Sequence, residues 1–203
     1  RAQSNYMSWG NIEEMASAGV TIANHLVEHS YMLDKLQGEA QGDWIDRIRE
    51  EILEAQRTIT RHSGQDNKFL AYPYGEYDID IKNLAEELGF IGFAQNSGSA
   101  GFASDFLALP RFPLASIYAN LNTAKVKFAA KAFNVEQLQP LSPISSNSRP
   151  TATLKFSTGD YRLTQIACFS NSKPMFMNWS SSEEGVLTIA PETDLTGRRS
   201  RYI

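Results

Sequence analysis

Two short stretches decide the fold of this chain: Asn24-His25-Leu26-Val27-Glu28-His29 and Ala71-Tyr72-Pro73-Tyr74-Gly75. The first follows the β-forming run Gly19-Val20-Thr21-Ile22-Ala23, and the second begins within the apolar run Phe69-Leu70-Ala71-Tyr72. Such runs predict strands. Residues just past the carboxyl ends of parallel strands meet at one edge of a sheet or barrel, where α/β proteins build their sites. We therefore expect the two stretches to share one rim.

Two of the three histidines, His25 and His29, stand four residues apart. On one helical turn this spacing directs both imidazoles to the same side. Two neutral imidazoles can hold Zn²⁺ and leave positions for a carboxylate, water and substrate. The same spacing also arises by chance in solvated or capping histidines. Their position after a strand favours a metal site, and with it a metal-dependent hydrolase.

Helical periodicity alternates with strand patterns over the first two thirds of the chain. It is clearest over residues 43–63, where Trp44, Ile48 and Ile52 recur at helical spacing and Gly64 follows as a stop. A helix over 80–88 is predicted between strands at 69–72 and 90–94, and shorter helices are predicted over 8–19 and 122–133. This alternation is typical of βαβ units and a parallel sheet or barrel.

The pattern changes near residue 139. Residues 139–150 hold three prolines and four serines, which predicts a linker. Beyond it, β-forming runs at 152–156, 162–169, 175–179 and 186–190 predict a small antiparallel module. We therefore divide the chain into a first domain over 1–138, the linker, and an accessory domain over 151–203.

The sequence argues against nucleic acid as a partner and against a membrane-spanning helix. The net charge is −4, whereas neutralising nucleic-acid phosphates needs clustered Lys and Arg. No run approaches the 18 or so apolar residues of a membrane-spanning helix.

The two stretches resemble motifs of the polysaccharide deacetylases with a NodB homology domain (carbohydrate esterase family 4). His25-Leu26-Val27-Glu28-His29-Ser30 is similar to the second motif, His-(Ser/Thr)-x-x-His-(Ser/Thr). Ala71-Tyr72-Pro73-Tyr74-Gly75 is similar to the third, Arg-x-Pro-Tyr-Gly. The approach to the second motif, from Tyr6-Met7-Ser8-Trp9 onward, is also similar. The resemblance covers roughly residues 6–133. Within the family, the chain most resembles the bacterial enzymes that act on cell-surface or biofilm polymers of N-acetylglucosamine.

This resemblance implies a fold, an activity and a site. The α/β fold would be a partial, distorted (β/α) barrel followed by a small antiparallel β-sandwich-like domain. His25 and His29 would bind a divalent metal, Zn or alternatively Ni or Co, and the backbone N–H of Tyr74 would hold the oxyanion. Substrate contacts would come from three further residues (Tyr72, Pro73 and Arg111). The enzyme would be exported, to the periplasm or the cell surface.

The sequence also departs from the family pattern. Leu26 replaces the usual Ser/Thr, and Ala71 replaces the usual Arg, for which Arg111 is a candidate substitute. The Leu-x-His motif of the family's general acid has no match, and no Asp-Asp motif occurs. The family places that motif upstream of Arg1. We therefore expect an upstream polypeptide segment to complete the barrel, and the 203 residues alone to be inactive.

Two other functions stay open from the same residues. One is a carbohydrate-binding module with a decayed site, which the loss of the Arg and Leu-x-His motifs supports. Five aromatic residues would stack on its sugars: Trp9, Tyr31, Tyr72, Tyr74 and Tyr77. The other is a zinc protease of the inverted His-x-x-Glu-His type, with Glu28 as general base. That motif needs a sustained helix, against which the preceding strand argues.

Overall fold

The structure, a computed structural model, describes residues 6–157 and 162–202, without the side chain of Ile117. The described residues form two compact units. The first contains the residues up to Gln95 together with Asp105–Leu109. The second contains Asn96–Ser104 and the residues from Pro110 onward.

The first unit alternates helices and short strands. Its elements are α1 (Trp9–Ser17), α2 (Gln41–Ser63), β1 (Phe69–Ala71), a 3₁₀ turn (Pro73–Gly75), α3 (Ile79–Glu87) and β2 (Ile91–Phe93). The side chain of Ser8 caps α1 by accepting the Asn11 N–H, and Gly64 ends α2 at a φ of 70°. The helices predicted over 43–63 and 80–88 are thus confirmed. No described helix is long and apolar enough to cross a membrane.

Parallel pairing organises the strands of this unit. β1 and β2 run parallel, with Phe69 opposite Ile91. Two isolated parallel bridges extend the pairing, from Asn24 to Leu70 and from Phe93 to Leu109. The predicted parallel arrangement is confirmed here, but the run 19–23 forms no strand, and only Asn24 pairs. Both predicted stretches, 24–29 and 71–75, follow this pairing directly.

The core of the first unit lies between α2, α3 and the strands. It is made of large apolar side chains that are almost fully buried: Met32, Trp44, Ile48, Ile52, Leu70, Tyr72, Ile81, Leu84, Ala85 and Phe90. Each buried aliphatic side chain of this size contributes about 1.5–3 kcal/mol of hydrophobic free energy. The indole N–H of Trp44 donates to the carbonyl of Met32 at 2.8 Å, so its one polar atom is satisfied.

The second unit is mostly antiparallel sheet. A 3₁₀ turn (Ser116–Tyr118) and α4 (Leu121–Ala129) precede β3 (Val135–Gln139) and β4 (Ala152–Phe156); another 3₁₀ turn (Leu163–Gln165), β5 (Phe169–Ser170), β6 (Lys173–Trp179) and β7 (Val186–Pro191) follow. The five strands pair in the order β3-β4-β7-β6-β5. Strands predicted at 152–156, 175–179 and 186–190 are confirmed as β4, β6 and β7. The run 162–169 is largely a 3₁₀ turn and loop instead.

Three features of the second unit differ from the sequence-based expectation. β3 crosses the boundary placed at residue 138 and pairs with β4, and α4, expected to close the first domain, belongs to this unit. Among the residues described, the strands form one five-stranded sheet and not the two facing sheets of a sandwich. The described residues between β4 and β6 include a 3₁₀ turn and the short β5, and β5 pairs at the edge of the same sheet.

Candidate metal centre

The loop carrying His25 and His29 brings their rings together without a helical turn. The ring centroids lie 4.6 Å apart, with the planes at 77°. Leu26 and His29 have positive φ angles of 63° and 52°, which no α-helix contains. The helical turn inferred from the four-residue spacing is therefore wrong, although the two imidazoles do meet. The same loop geometry removes the sustained helix that an inverted zinc-protease motif with Glu28 requires.

A backbone carbonyl orients the His25 ring. Nδ1 of His25 lies 2.5 Å from the carbonyl oxygen of Ala71. Because a carbonyl only accepts, Nδ1 must donate, and the neutral ring then carries its lone pair on Nε2. Metal-binding histidines commonly have their second nitrogen fixed in this way. The donor set at this position therefore fits a divalent metal bound through Nε2.

His29 lies against an aromatic pair. Its ring meets Tyr74 edge-on, with centroids 4.6 Å apart and planes at 74°. Tyr74 in turn stacks on Tyr31 at 3.9 Å and 9°. Tyr31 is 38% exposed, so one aromatic surface beside the histidines faces solvent. The sequence indicates Tyr31 only as one of several aromatic residues, because the residues around it do not show that it stacks on Tyr74.

Tyr74 lies in a tight 3₁₀ turn between Pro73 and Gly75. Pro73 starts the 3₁₀ turn, Tyr74 has a φ of 56°, and Gly75 has a φ of 70°. A Cβ on Gly75 would collide with the backbone nitrogen and Cβ of Gln95, so glycine is needed both for its φ and for space. The turn thereby holds the Tyr74 backbone at the same edge as the histidine loop.

Three of the six non-glycine residues with positive φ in the described part of the chain lie at this place. Leu26, His29 and Tyr74 are non-glycine residues in the left-handed region. Such residues persist only where surrounding contacts hold them, and they cluster at functional sites. The strain supports a functional reading of the loop and turn.

A buried asparagine anchors the start of the histidine loop. Asn24 is fully buried, and its backbone pairs with Phe69 and Ala71 of β1 at 2.8 and 2.9 Å. Its side-chain oxygen accepts the Leu26 N–H at 3.0 Å, and its amide donates to the carbonyl of Ile52 in α2 at 2.8 Å. Sequence reasoning missed Asn24, although a polar residue between a β-forming run and a histidine was a usable signal.

Of the residues predicted to contact substrate, Tyr72 and Pro73 are buried beside the site, and Arg111 belongs to the second unit. The ring of Tyr72 is fully buried, its hydroxyl donates to the Leu107 carbonyl at 2.8 Å, and burial raises the pKa of this phenol above its usual range. Pro73 is also fully buried. Because both side chains are fully buried, neither presents a surface to a sugar. Arg111 belongs to the second unit, where its N–H donates to the Asn96 carbonyl at 3.0 Å.

Two aromatic positions considered for sugar stacking have structural contacts. Trp9 of α1 stacks on His62 in the last turn of α2, with centroids 4.2 Å apart. Tyr77 packs on Tyr72 at 5.2 Å, and burial raises the pKa of Tyr77.

The histidine pair is what the described residues offer to a metal. Across residues 6–157 and 162–202, no group of three or more His, Cys, Asp or Glu side chains lies close enough to hold an ion. The pair supplies two imidazoles. No third His, Cys, Asp or Glu side chain in the described part of the chain joins them as a ligand.

A comparison with protein families gives a match in the N-terminal part of the chain. Residues 2–92 match the family model described as polysaccharide deacetylase, so the resemblance of the motifs in this part of the chain is confirmed. No curated protein matched the chain.

Solved structures give partial matches. The deacetylase domain of BpsB from Bordetella bronchiseptica is 24% identical, with a TM-score of 0.47, over 52% of this chain and 48% of that one. A de-N-acetylase from Aggregatibacter actinomycetemcomitans is 18% identical, with a TM-score of 0.48, over 63% and 58%. The chain thus spans about half the length of these proteins.

Proposed function

We propose that the first unit is the histidine-bearing part of a metal-dependent enzyme that removes N-acetyl groups from a cell-surface or biofilm polysaccharide of N-acetylglucosamine type. The observation that carries this proposal is the His25–His29 pair, with His25 oriented by the Ala71 carbonyl, inside the segment that matches the deacetylase family. The enzyme would be exported, since such polymers lie outside the cytoplasm.

We further propose that the parallel segments around Asn24, β1, β2 and Leu109 are part of a NodB-type (β/α) barrel that an upstream polypeptide segment completes. The absence of an Asp-Asp motif from the sequence supports this idea. That segment would contribute the missing carboxylate ligand and the general base.

His25 and His29 would hold the metal, with Zn²⁺ as the first candidate and Ni²⁺ or Co²⁺ as alternatives. When bound, such an ion lowers the pKa of water and polarises a carbonyl. The hydrogen bond from Nδ1 of His25 to the Ala71 carbonyl places the lone pair of the neutral ring on Nε2, and this nitrogen would bind the ion. The Tyr74 backbone N–H, held in its left-handed turn, would donate to the developing oxyanion. The exposed Tyr31–Tyr74 stack would support a sugar ring.

The proposal is tested by acetate release from N-acetylglucosamine oligomers, with the 203 residues alone and joined to their upstream segment. We expect metal-dependent activity only from the longer protein. His25→Ala and His29→Ala should each lower it by about 100-fold or more, because each removes a metal ligand. His62→Ala is the matched control, since this third histidine packs on Trp9. Undiminished activity in both ligand variants would refute the proposal.

A carbohydrate-binding module with a decayed site is the second candidate. Ala71 in place of the family's Arg and the exposed Tyr31–Tyr74 stack favour it. Oligomer binding by the longer protein, lost in Tyr31→Ala and accompanied by no acetate release at any metal concentration, would select this function instead.

A further inference from the structure

A single carboxylate on α2 binds the middle of the histidine loop. Oε2 of Glu51 accepts the backbone N–H of Val27 at 3.2 Å and that of Glu28 at 3.3 Å. Two successive amides therefore converge on one oxygen, an arrangement that turns in the backbone favour for anions. Both amides lie between His25 and His29, so the carboxylate contacts the chain that joins the two imidazoles.

The loop needs such a partner because its backbone is strained on both sides of these amides. Leu26 has a φ of 63° and His29 a φ of 52°. A non-glycine residue in this region is held there by its surroundings. Without an acceptor, Val27 and Glu28 would be free to turn towards water and carry His29 with them.

Without the contribution of Glu51, His25 is held by more contacts than His29. His25 is fixed by its own hydrogen bond to Ala71 and by its neighbour Asn24, which is bonded to β1 and to α2. His29 is exposed, and its ring packs against the rings of Tyr74 and His25. The position of His29 relative to His25 therefore depends on what holds residues 27 and 28.

Glu51 is available for this task. It is half-buried near the middle of α2, next to Ile52, whose carbonyl binds Asn24. Its basic neighbour one turn earlier, Arg47, is bonded to Glu39 at 2.6 Å and to the Asp34 carbonyl at 2.9 Å. The guanidinium is thus committed elsewhere, while Oε2 of Glu51 faces the loop.

We propose that Glu51 is a positioning residue that fixes His29 relative to His25 and so sets the affinity of the pair for a divalent metal. This inference rests on the proposed function only in taking the pair as metal ligands; it does not require deacetylation.

The test compares Glu51→Ala with Glu51→Gln, whose amide oxygen can still accept both N–H groups. Glu50→Ala is the matched control, because Glu50 is the adjacent glutamate and lies 3.6 Å from Arg57, away from the loop. Three quantities are measured on the 203-residue chain: amide hydrogen exchange at Val27 and Glu28 without metal, Zn²⁺ affinity by chelator competition, and the thermal midpoint of the metal-free protein.

We expect Glu51→Ala to speed exchange at both amides by about tenfold and to weaken Zn²⁺ binding by about 10–100-fold. Glu51→Gln should recover most of both, and Glu50→Ala should change neither. Unchanged exchange or unchanged Zn²⁺ affinity in Glu51→Ala would overturn the inference. So would a loss of affinity that matches a general loss of amide protection across β1, because it would show a purely structural role.

The two proposals fail separately. Zn²⁺ binding that depends on Glu51, together with no acetate release from the longer protein, would refute the deacetylase and leave the positioning role. Acetate release that is unaffected by Glu51→Ala would refute the positioning role and leave the deacetylase.

Discussion

Single residues at this site owe their conformation to their neighbours. Tyr74 and His29 both occupy the left-handed region, and their rings meet edge-on. The ring of Tyr31 stacks on that of Tyr74. Aromatic pairs in such geometry contribute about 0.5–1.5 kcal/mol beyond the area they bury. The Tyr31–Tyr74 stack therefore offsets part of the backbone strain in the turn.

Removing one ring of the stack should show this contribution. We expect Tyr31→Ala to lower the free energy of unfolding, measured by chemical denaturation, by at least the contribution of the ring pair, about 0.5–1.5 kcal/mol, because the apolar area that the ring buries is lost as well. Tyr31→Phe retains the ring and should stay close to the wild type. Equal losses in the two variants would mean that the Tyr31 hydroxyl, and not the stacked ring, stabilises the turn.

At the level of elements, α2 serves both the core and the site. One face buries Trp44, Ile48 and Ile52, while Glu51 and the Ile52 carbonyl hold the histidine loop. A helix that packs on the strands can therefore fix a loop that leaves the same strands. Displacement of α2 would disturb the core and the histidine pair together.

Close approach of neighbouring segments gives a prediction for Gly92 in β2. A Cβ there would collide with the Leu107 carbonyl and the Tyr72 hydroxyl, which are themselves hydrogen-bonded. Because backbone cannot move aside cheaply, we expect Gly92→Ala to destabilise the protein by about 2–3 kcal/mol. The measurement is urea unfolding followed by far-UV circular dichroism.

Gly42→Ala is the matched control for this change. Gly42 lies in the first turn of α2, and a Cβ there meets nothing within 4 Å. Alanine should stabilise the helix by about 0.5–1 kcal/mol. Shifts of the same sign in both variants would contradict the steric argument for Gly92.

The elements that depend on local signals could be predicted from the sequence. α2 and α3 lie within two residues of their predicted limits because apolar periodicity and the stops at Gly64 and Gly89 are local. Strand limits and the edge of the second unit depend on pairing partners, as β3 shows. Its pairing with β4 is not visible in residues 135–139 alone.

The candidate site was predictable in the same partial way. The spacing of His25 and His29 indicated a pair, but their approach comes from left-handed residues and not from a helical turn. Glu51 could not be recognised, since its partners lie 24 and 23 residues away in sequence. The substrate contact predicted for Tyr72 is wrong because its ring is buried. The local sequence beside a site motif does not show whether an aromatic ring is buried or exposed.

For the molecule as a whole, ion pairs make the free energy of unfolding depend on pH in the acidic range. Basic partners hold the pKa values of five carboxylates below their ordinary range: Glu39, Glu54, Asp66, Glu87 and Asp194. The clearest case is Glu39, where hydrogen bonds from Arg47 lower the pKa from 4.5 to about 2. Its carboxyl is bonded by two guanidinium nitrogens, at 2.6 and 2.8 Å.

A lowered carboxyl pKa contributes stability that is complete above the unfolded value and lost as the pH falls through the folded value. We therefore expect the thermal midpoint to fall between pH 4.5 and about 2. Glu39→Gln should lower the midpoint at pH 7 and flatten the decline in this interval. Glu184→Gln, at an exposed position, is the control. Parallel curves for wild type and Glu39→Gln would contradict the assignment.

The contacts of the histidine loop also bear on the order of folding. They join residues far apart along the chain, since Asn24 bonds Ile52 28 positions away and His25 bonds Ala71 46 positions away. α2 closes its hydrogen bonds over four positions, and closing longer segments costs more entropy and takes longer. We therefore expect the helix to form early and the two imidazoles to converge late. A cation added during refolding would then stabilise chains that have nearly finished folding, and would leave the rate of the earliest steps unchanged.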